Sequence, residues 1–207
     1  MSSHGESALQ PLLDLSAAIG CGEQETIVTA LEGARVGATP ARVDEAILQA
    51  YLFVGFPAVL GVLGRWRELS PASPAVTETE PATLEVYRER GEALCRTIYG
   101  DAYDSLRANI RGLHPTLDRW MIEEGYGKTL SRPVLTPIER ELCIVALLAA
   151  GGWEPQLRSH LLGALNVGAT PAAVEGALRA GLSLVSDPGS RRQAEALWDR
   201  MCTRPNR

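Results

Sequence analysis

The chain has 207 residues, 45% apolar, 22% charged and only 5% aromatic, long enough for one large domain or two small fused ones and able to bury roughly 70% of its extended surface. Its net charge is −5, and nineteen Arg and one Lys are spread along the chain. The basic footprint of a nucleic-acid binder is therefore missing.

Ala, Leu and Gly abound while aromatic residues are scarce, a balance that favours close-packed helices over sandwiches or barrels, so an all-α fold is expected. Apolar runs such as Ile144 to Ala150 fall far short of the ~18 residues needed to span a bilayer, so no membrane helix is expected. The start of the chain lacks a basic stretch followed by an apolar core, which points to a cytoplasmic location. Cys21, Cys95, Cys143 and Cys202 lie far apart without a Cys-x-x-Cys pair; reduced, partly buried thiols are expected, with no metal site.

In chain order, the periodicity and punctuation predict helices over 7–19, 24–36, 40–54, 57–69, 83–98, 101–111, 115–126, 137–150, 155–167, 171–185 and 188–203. The segment Val36-Gly-Ala-Thr-Pro-Ala41 recurs as Val167-Gly-Ala-Thr-Pro-Ala172, and at the same offset Gly20 meets Gly151, Val43 meets Val174 and Pro57 meets Pro188. One residue further out of register, Trp66 meets Trp198. This pattern predicts a duplicated helical unit over 1–69, a Pro-rich linker over 70–82 and a second unit over 83–207. Thr39, Thr136, Thr170 and Asp187 are expected at helix N-caps, with Thr136 and Glu139 forming a capping box.

Helix 137–150 turns Ile138, Leu142, Val145 and Ala149 to one face, with the carboxylate of Glu141 within or beside it. Glu141 lies ten residues before the Gly151 turn and His160 nine after it. At 1.5 Å per residue both stand roughly 13–15 Å from the turn, at one height on neighbouring antiparallel helices. The pair is open to two readings, a proton-transfer couple in an apolar cleft or a buried ion pair that fixes the hairpin. Trp153 at the helix entry either lines a pocket or packs as a staple on the turn, and neither His114 nor His4 has partners at metal-ligand spacing.

The run from Glu139 through Glu141 and Gly151-Gly-Trp153 to Arg158-Ser-His160, followed by Gly163-Ala-Leu-Asn-Val-Gly-Ala-Thr-Pro171, resembles the carboxymuconolactone decarboxylase family. The upstream stretch Glu124-Gly-Tyr-Gly-Lys-Thr-Leu-Ser-Arg-Pro-Val-Leu135 is similar to that family's lead-in, with Thr129 standing where a Trp is usual. The resemblance covers the C-terminal half from about Thr83; the first 70 residues look like a partial, diverged second copy. Its alkyl hydroperoxidase D-like members carry Glu, Cys-x-x-Cys and His. On this chain those places fall on Glu141, Trp153, Gln156 and His160, and in the first copy on Gln10, Gly22, Glu25 and Thr29. Dithiol peroxidase chemistry is therefore not expected.

The resemblance implies cofactor-free decarboxylation and proton transfer on a small carboxylated lactone or keto acid. In that scheme His160 is the general acid, Glu141 its partner, and Arg158, Trp153 and Gln156 bind substrate. Arg158 is the least secure of these, because two residues along a helix turn a side chain by about 200° from His160. Arg132 and Arg140 are weaker candidates for the carboxylate clamp. The resemblance also implies a homodimer or homotrimer. The alternative is a non-catalytic helical ligand-binding or interaction protein on the same fold.

Overall fold

The computed structural model describes residues 9–71 and 82–203, and among these there is no strand. The expected linker lies largely outside the described residues, as does His4. The first half holds α1 (Gln10–Cys21), α2 (Gln24–Gly37) and α3 (Pro40–Leu69). The second begins with α4 (Leu84–Tyr99), a 3₁₀ turn (Gly100–Ala102), α5 (Tyr103–Leu113), α6 (Pro115–Trp120) and a π-helix (Met121–Leu130). It ends with α7 (Pro137–Gly151), α8 (Glu154–Asn166), α9 (Pro171–Leu182) and α10 (Pro188–Thr203).

Local chemistry accounts for most of these boundaries. Thr136 and Glu139 form the reciprocal capping box that starts α7, and Gly152, at φ 75°, closes that helix in the left-handed region that costs glycine least. The Thr170 hydroxyl accepts from Ala173 N, and the Asp187 carboxylate accepts from Ser190 N at 2.7 Å. Thr39 occupies its N-cap place, but its hydroxyl makes no capping bond, and Pro40 at the first helical position carries the start alone. The helix expected over 115–126 changes type after Trp120 and runs on as π-helix to Leu130, and the one expected to reach 185 stops at Leu182.

Two helices form the centre. Leu12, Leu13 and every residue from Leu15 to Ile19 are buried in α1, and so is every residue from Arg140 to Ala149 in α7. The two pack on each other so closely that a Cβ at Gly20 would run into the Leu147 carbonyl. Helices α2, α3, α8 and α9 pack directly on this pair, and one continuous apolar cluster runs from Leu12 to Trp198.

By length and composition alone α3 is long and apolar enough to cross a membrane, which the short apolar runs did not suggest. Its helix is interrupted at Gly55 (φ 79°, ψ 167°), next to Pro57, where two helices were expected to meet. Arms of 15 and 14 residues result, over 40–54 and 56–69. Each spans about 22 Å, short of the ~30 Å hydrocarbon core.

A polar latch joins the halves beside the centre. Glu45 of α3, only 1% exposed, accepts from Arg140 Nη2 at 2.7 Å and from Arg132 Nε at 2.8 Å. Arg140 also donates to the Gln49 side chain and to the Arg132 carbonyl, so the cost of burying the charges is offset by pairing and hydrogen bonds together.

Candidate active site

The turn at Gly151 folds α8 back along α7, and the expected meeting takes place: His160 Nδ1 lies 2.9 Å from Glu141 Oε2. Glu141 keeps 1% of its side chain accessible and His160 7%. Gly163 is what lets the carboxylate in, since a Cβ there would sit 2.7 Å from Glu141 Oε2 and 2.7 Å from the Ile98 side chain. Glu141 Oε1 is fully enclosed and has no hydrogen-bond partner. His160 Nε2 likewise meets no partner among the described residues, but it is not fully enclosed. The imidazole thus has one nitrogen held by a carboxylate and the other open, the arrangement that orients a histidine for acid–base work.

One aromatic ring packs on the imidazole, and two phenols and a thiol lie within reach of the Glu141 charge. The Phe53 ring, two residues before the break in α3, packs edge-on to the imidazole at 5.6 Å between centroids. Tyr126 of the π-helix donates from its hydroxyl to that of Tyr99 on α4 at 3.1 Å. Burial, reinforced by the negative charge of Glu141, pushes both phenols above their ordinary range. Cys95 lies one turn before Tyr99 and is wholly buried. Its thiol is pushed up to about 12, by burial first and by Glu141 among the nearby charges. A signal for Tyr126 existed, since it sits inside the lead-in to the resemblance. Phe53 lies more than 100 residues from His160, with no local pattern to betray it.

The substrate-binding candidates do not join this cluster. Arg158 and Gln156 are both exposed; Arg158 lies on another face of α8, as the rotation between positions 158 and 160 requires, whereas Gln156, about one turn before His160 on the same side of the helix, faces solvent. Trp153 is 37% exposed and lays its ring over Gly151, where a Cβ would collide with it, which is the geometry of a staple on the turn. Arg132 and Arg140 are both engaged by Glu45. His114 is exposed and accepts from Thr116 N.

In the first half Gln10 donates to Asp14, while Glu25 and Thr29 line a surface cleft of about 560 Å³ between α1, α2 and α9. A second cleft, of about 440 Å³, lies between α9 and α10, and neither reaches the Glu141–His160 pair. Among the described residues no cluster of His, Cys, Asp and Glu is arranged to hold a metal.

All four cysteines are free; Cys95 and Cys143 are buried, Cys21 is partly buried, and Cys202 is exposed rather than partly buried as expected. Burial raises the Cys143 thiol to about 11. At pH 8 this leaves about one molecule in a thousand as the reactive thiolate there, and about one in ten thousand at Cys95. A disulfide reagent at pH 8 should therefore label Cys202 within seconds to minutes and Cys95 and Cys143 only on unfolding, as read by peptide mass mapping; early labelling of Cys143 would refute the buried assignment.

Helices wound about a central pair, with a carboxylate–imidazole couple beneath one helical hairpin, define an all-α protein of the carboxymuconolactone decarboxylase type. The model of the carboxymuconolactone decarboxylase family matches residues 115–199. Peroxisomal protein 2 of Schizosaccharomyces pombe is 30% identical over 154 residues, covering 72% of this chain and 70% of that protein. The chain belongs to the carboxymuconolactone decarboxylase family. A crystal structure described as a gamma-carboxymuconolactone decarboxylase subunit from Burkholderia xenovorans LB400 is 20% identical, with a TM-score of 0.54 over 95% of this chain and 78% of that one, and shares the fold.

Proposed function

We propose that the protein is a cofactor-free proton-transfer enzyme of the decarboxylase kind, acting on a small carboxylated lactone or keto acid through His160 and Glu141. The observation that carries this reading is the open Nε2 of an imidazole whose Nδ1 is held by a buried carboxylate. In the protonated state Nε2 delivers the proton that an enolate carbon needs once carbon dioxide has left. Glu141 keeps the ring oriented and steadies its positive charge. Arg158 has no part in the same site and would serve only a neighbouring subunit, in keeping with the homodimer or homotrimer we propose.

His160→Gln should lower turnover of the substrate found in a metabolite screen by at least about 100-fold, the usual size of general acid catalysis, and change unfolding free energy by no more than about 1 kcal/mol. A loss of about 3–5 kcal/mol with turnover per folded molecule unchanged would identify a structural ion pair instead.

The second reading, a non-catalytic binding or interaction protein, is favoured by the near-complete burial of the pair and by the outward-facing Arg158. The repeat also supports a duplicated origin, with 1–69 as the diverged copy and 83–207 as the family-like one. The proposed compartment is the cytoplasm; the peroxisome is the alternative raised by the name of the fission-yeast relative.

A further inference from the structure

We infer that the outer face of the second arm of α3, over 56–69, is where two copies of this chain meet about a two-fold axis. From Leu52 to Gly64 this helix carries no polar side chain, yet only 33% of its most apolar 18-residue stretch is buried. By contrast, α7 buries every residue from Arg140 to Ala149.

The inner face of the arm is already used. Val59, Val62 and Trp66 turn inward, and the Trp66 indole donates to Asp44 of the first arm at 2.7 Å, which folds the two arms against each other. The outer face carries Phe56 and Leu60, 66% and 64% exposed, beside the exposed Pro57, Gly61 and Gly64. A glycine inside an exposed helix weakens it relative to alanine. Gly20 is explained by the close approach of α7, but a Cβ at Gly61 or Gly64 would meet nothing within 4 Å.

A second copy fits this surface because the surface complements itself. Phe56 and Leu60, four residues apart, form a ridge, and Gly61 and Gly64 form a bare strip beside it. With the arms antiparallel and the axis between Leu60 and Gly61, Leu60 of each copy lies over Gly61 of the other and Pro57 over Gly64. Phe56 then meets the exposed cation of Arg65. The exposed parts of Phe56 and Leu60 come to on the order of 250 Å² per copy, about a third of the ~800 Å² that each partner gives to a stable dimer. A bilayer is the poorer occupant, since neither arm spans it and the exposed face has no Lys, Arg or Trp before Arg65.

The inference rests on the self-association proposed above, to which it gives a surface, and is independent of the acid–base reading. Sedimentation equilibrium of the full chain at about 50 μM should give the mass of two copies. Leu60→Glu and Gly61→Gln should each raise the dissociation constant at least about 30-fold. Both positions face water in the single chain, so circular dichroism should show an unchanged helix content in each variant. Gly61→Gln even favours the helix, so its loss of pairing cannot come from unfolding. A wild-type mass of one or three chains, or variants that pair as tightly as the wild type, overturns the inference. The second of these leaves self-association through another face standing. A single chain that sediments with phosphatidylcholine vesicles overturns it in favour of lipid, and none of these outcomes bears on the turnover test of His160.

Discussion

Replacing Glu45 with Ala should destabilise the protein by about 3–5 kcal/mol, the cost of leaving buried charge without its counter-ion. Glu45 is 1% exposed and Arg140 2%, and Arg132 keeps only 12% of its side chain in water. Two guanidinium groups would face each other across the space the carboxylate had filled. The Arg140 Nε–H is already enclosed without a partner, so the site has no spare acceptor to offer. Equilibrium urea unfolding should show the midpoint falling at an unchanged slope. A double change that removes charge from both sides, Glu45→Leu with Arg140→Met, should recover much of the loss, because an apolar replacement of similar volume avoids desolvation altogether. A Glu45→Ala penalty below about 1 kcal/mol would show that water or the neighbouring Gln49 compensates the two cations.

Gly127→Ala should cost about 3 kcal/mol, and Gly91→Ala a similar amount. At each position the added carbon meets backbone rather than a movable side chain: the Tyr87 carbonyl faces Gly127, and the Ile122 carbonyl faces Gly91. The gain in helix propensity on replacing Gly, at most about 1 kcal/mol, does not offset an overpacked contact between two helices. The effect should also reach the site. Spreading α4 from the π-helix separates Tyr99 from Tyr126, which now share a hydrogen bond at 3.1 Å. Thermal melts give the first effect, and the tyrosine ultraviolet absorbance, which senses phenol hydrogen bonding, gives the second. Gly112→Ala is the control, since nothing lies within 4 Å of a Cβ there.

The helices and the hairpin that brings Glu141 to His160 were legible because their determinants are local: a Thr–Glu capping box, a glycine turn, and counts of residues on either side of it. Arg158 shows the same logic in reverse, since the rotation between 158 and 160 already placed it on another face. The π-helix over Met121–Leu130 was not legible, because its widened turns leave no periodic apolar signal distinct from an α-helix that frays. Nor were the roles of Glu45 and Phe53. Each gains its meaning from residues about 90 or more positions away, and such pairings are decided by how the halves dock. Arg132 and Arg140, the weaker candidates for a carboxylate clamp, are taken up for that reason; their counter-ion, Glu45, comes from the other half.

The central position of α1 and α7, one from each half, has a consequence for how this protein can be taken apart. Each is apolar on nearly every side, and each finds part of its cover in helices from the opposite half. A truncation between the two halves would strip that cover and leave a sticky, water-facing stripe on whichever fragment remained. The smallest unit that can be expressed, crystallised or grafted elsewhere is thus the paired assembly of both halves, supplied as one polypeptide or as two made together in the same cell.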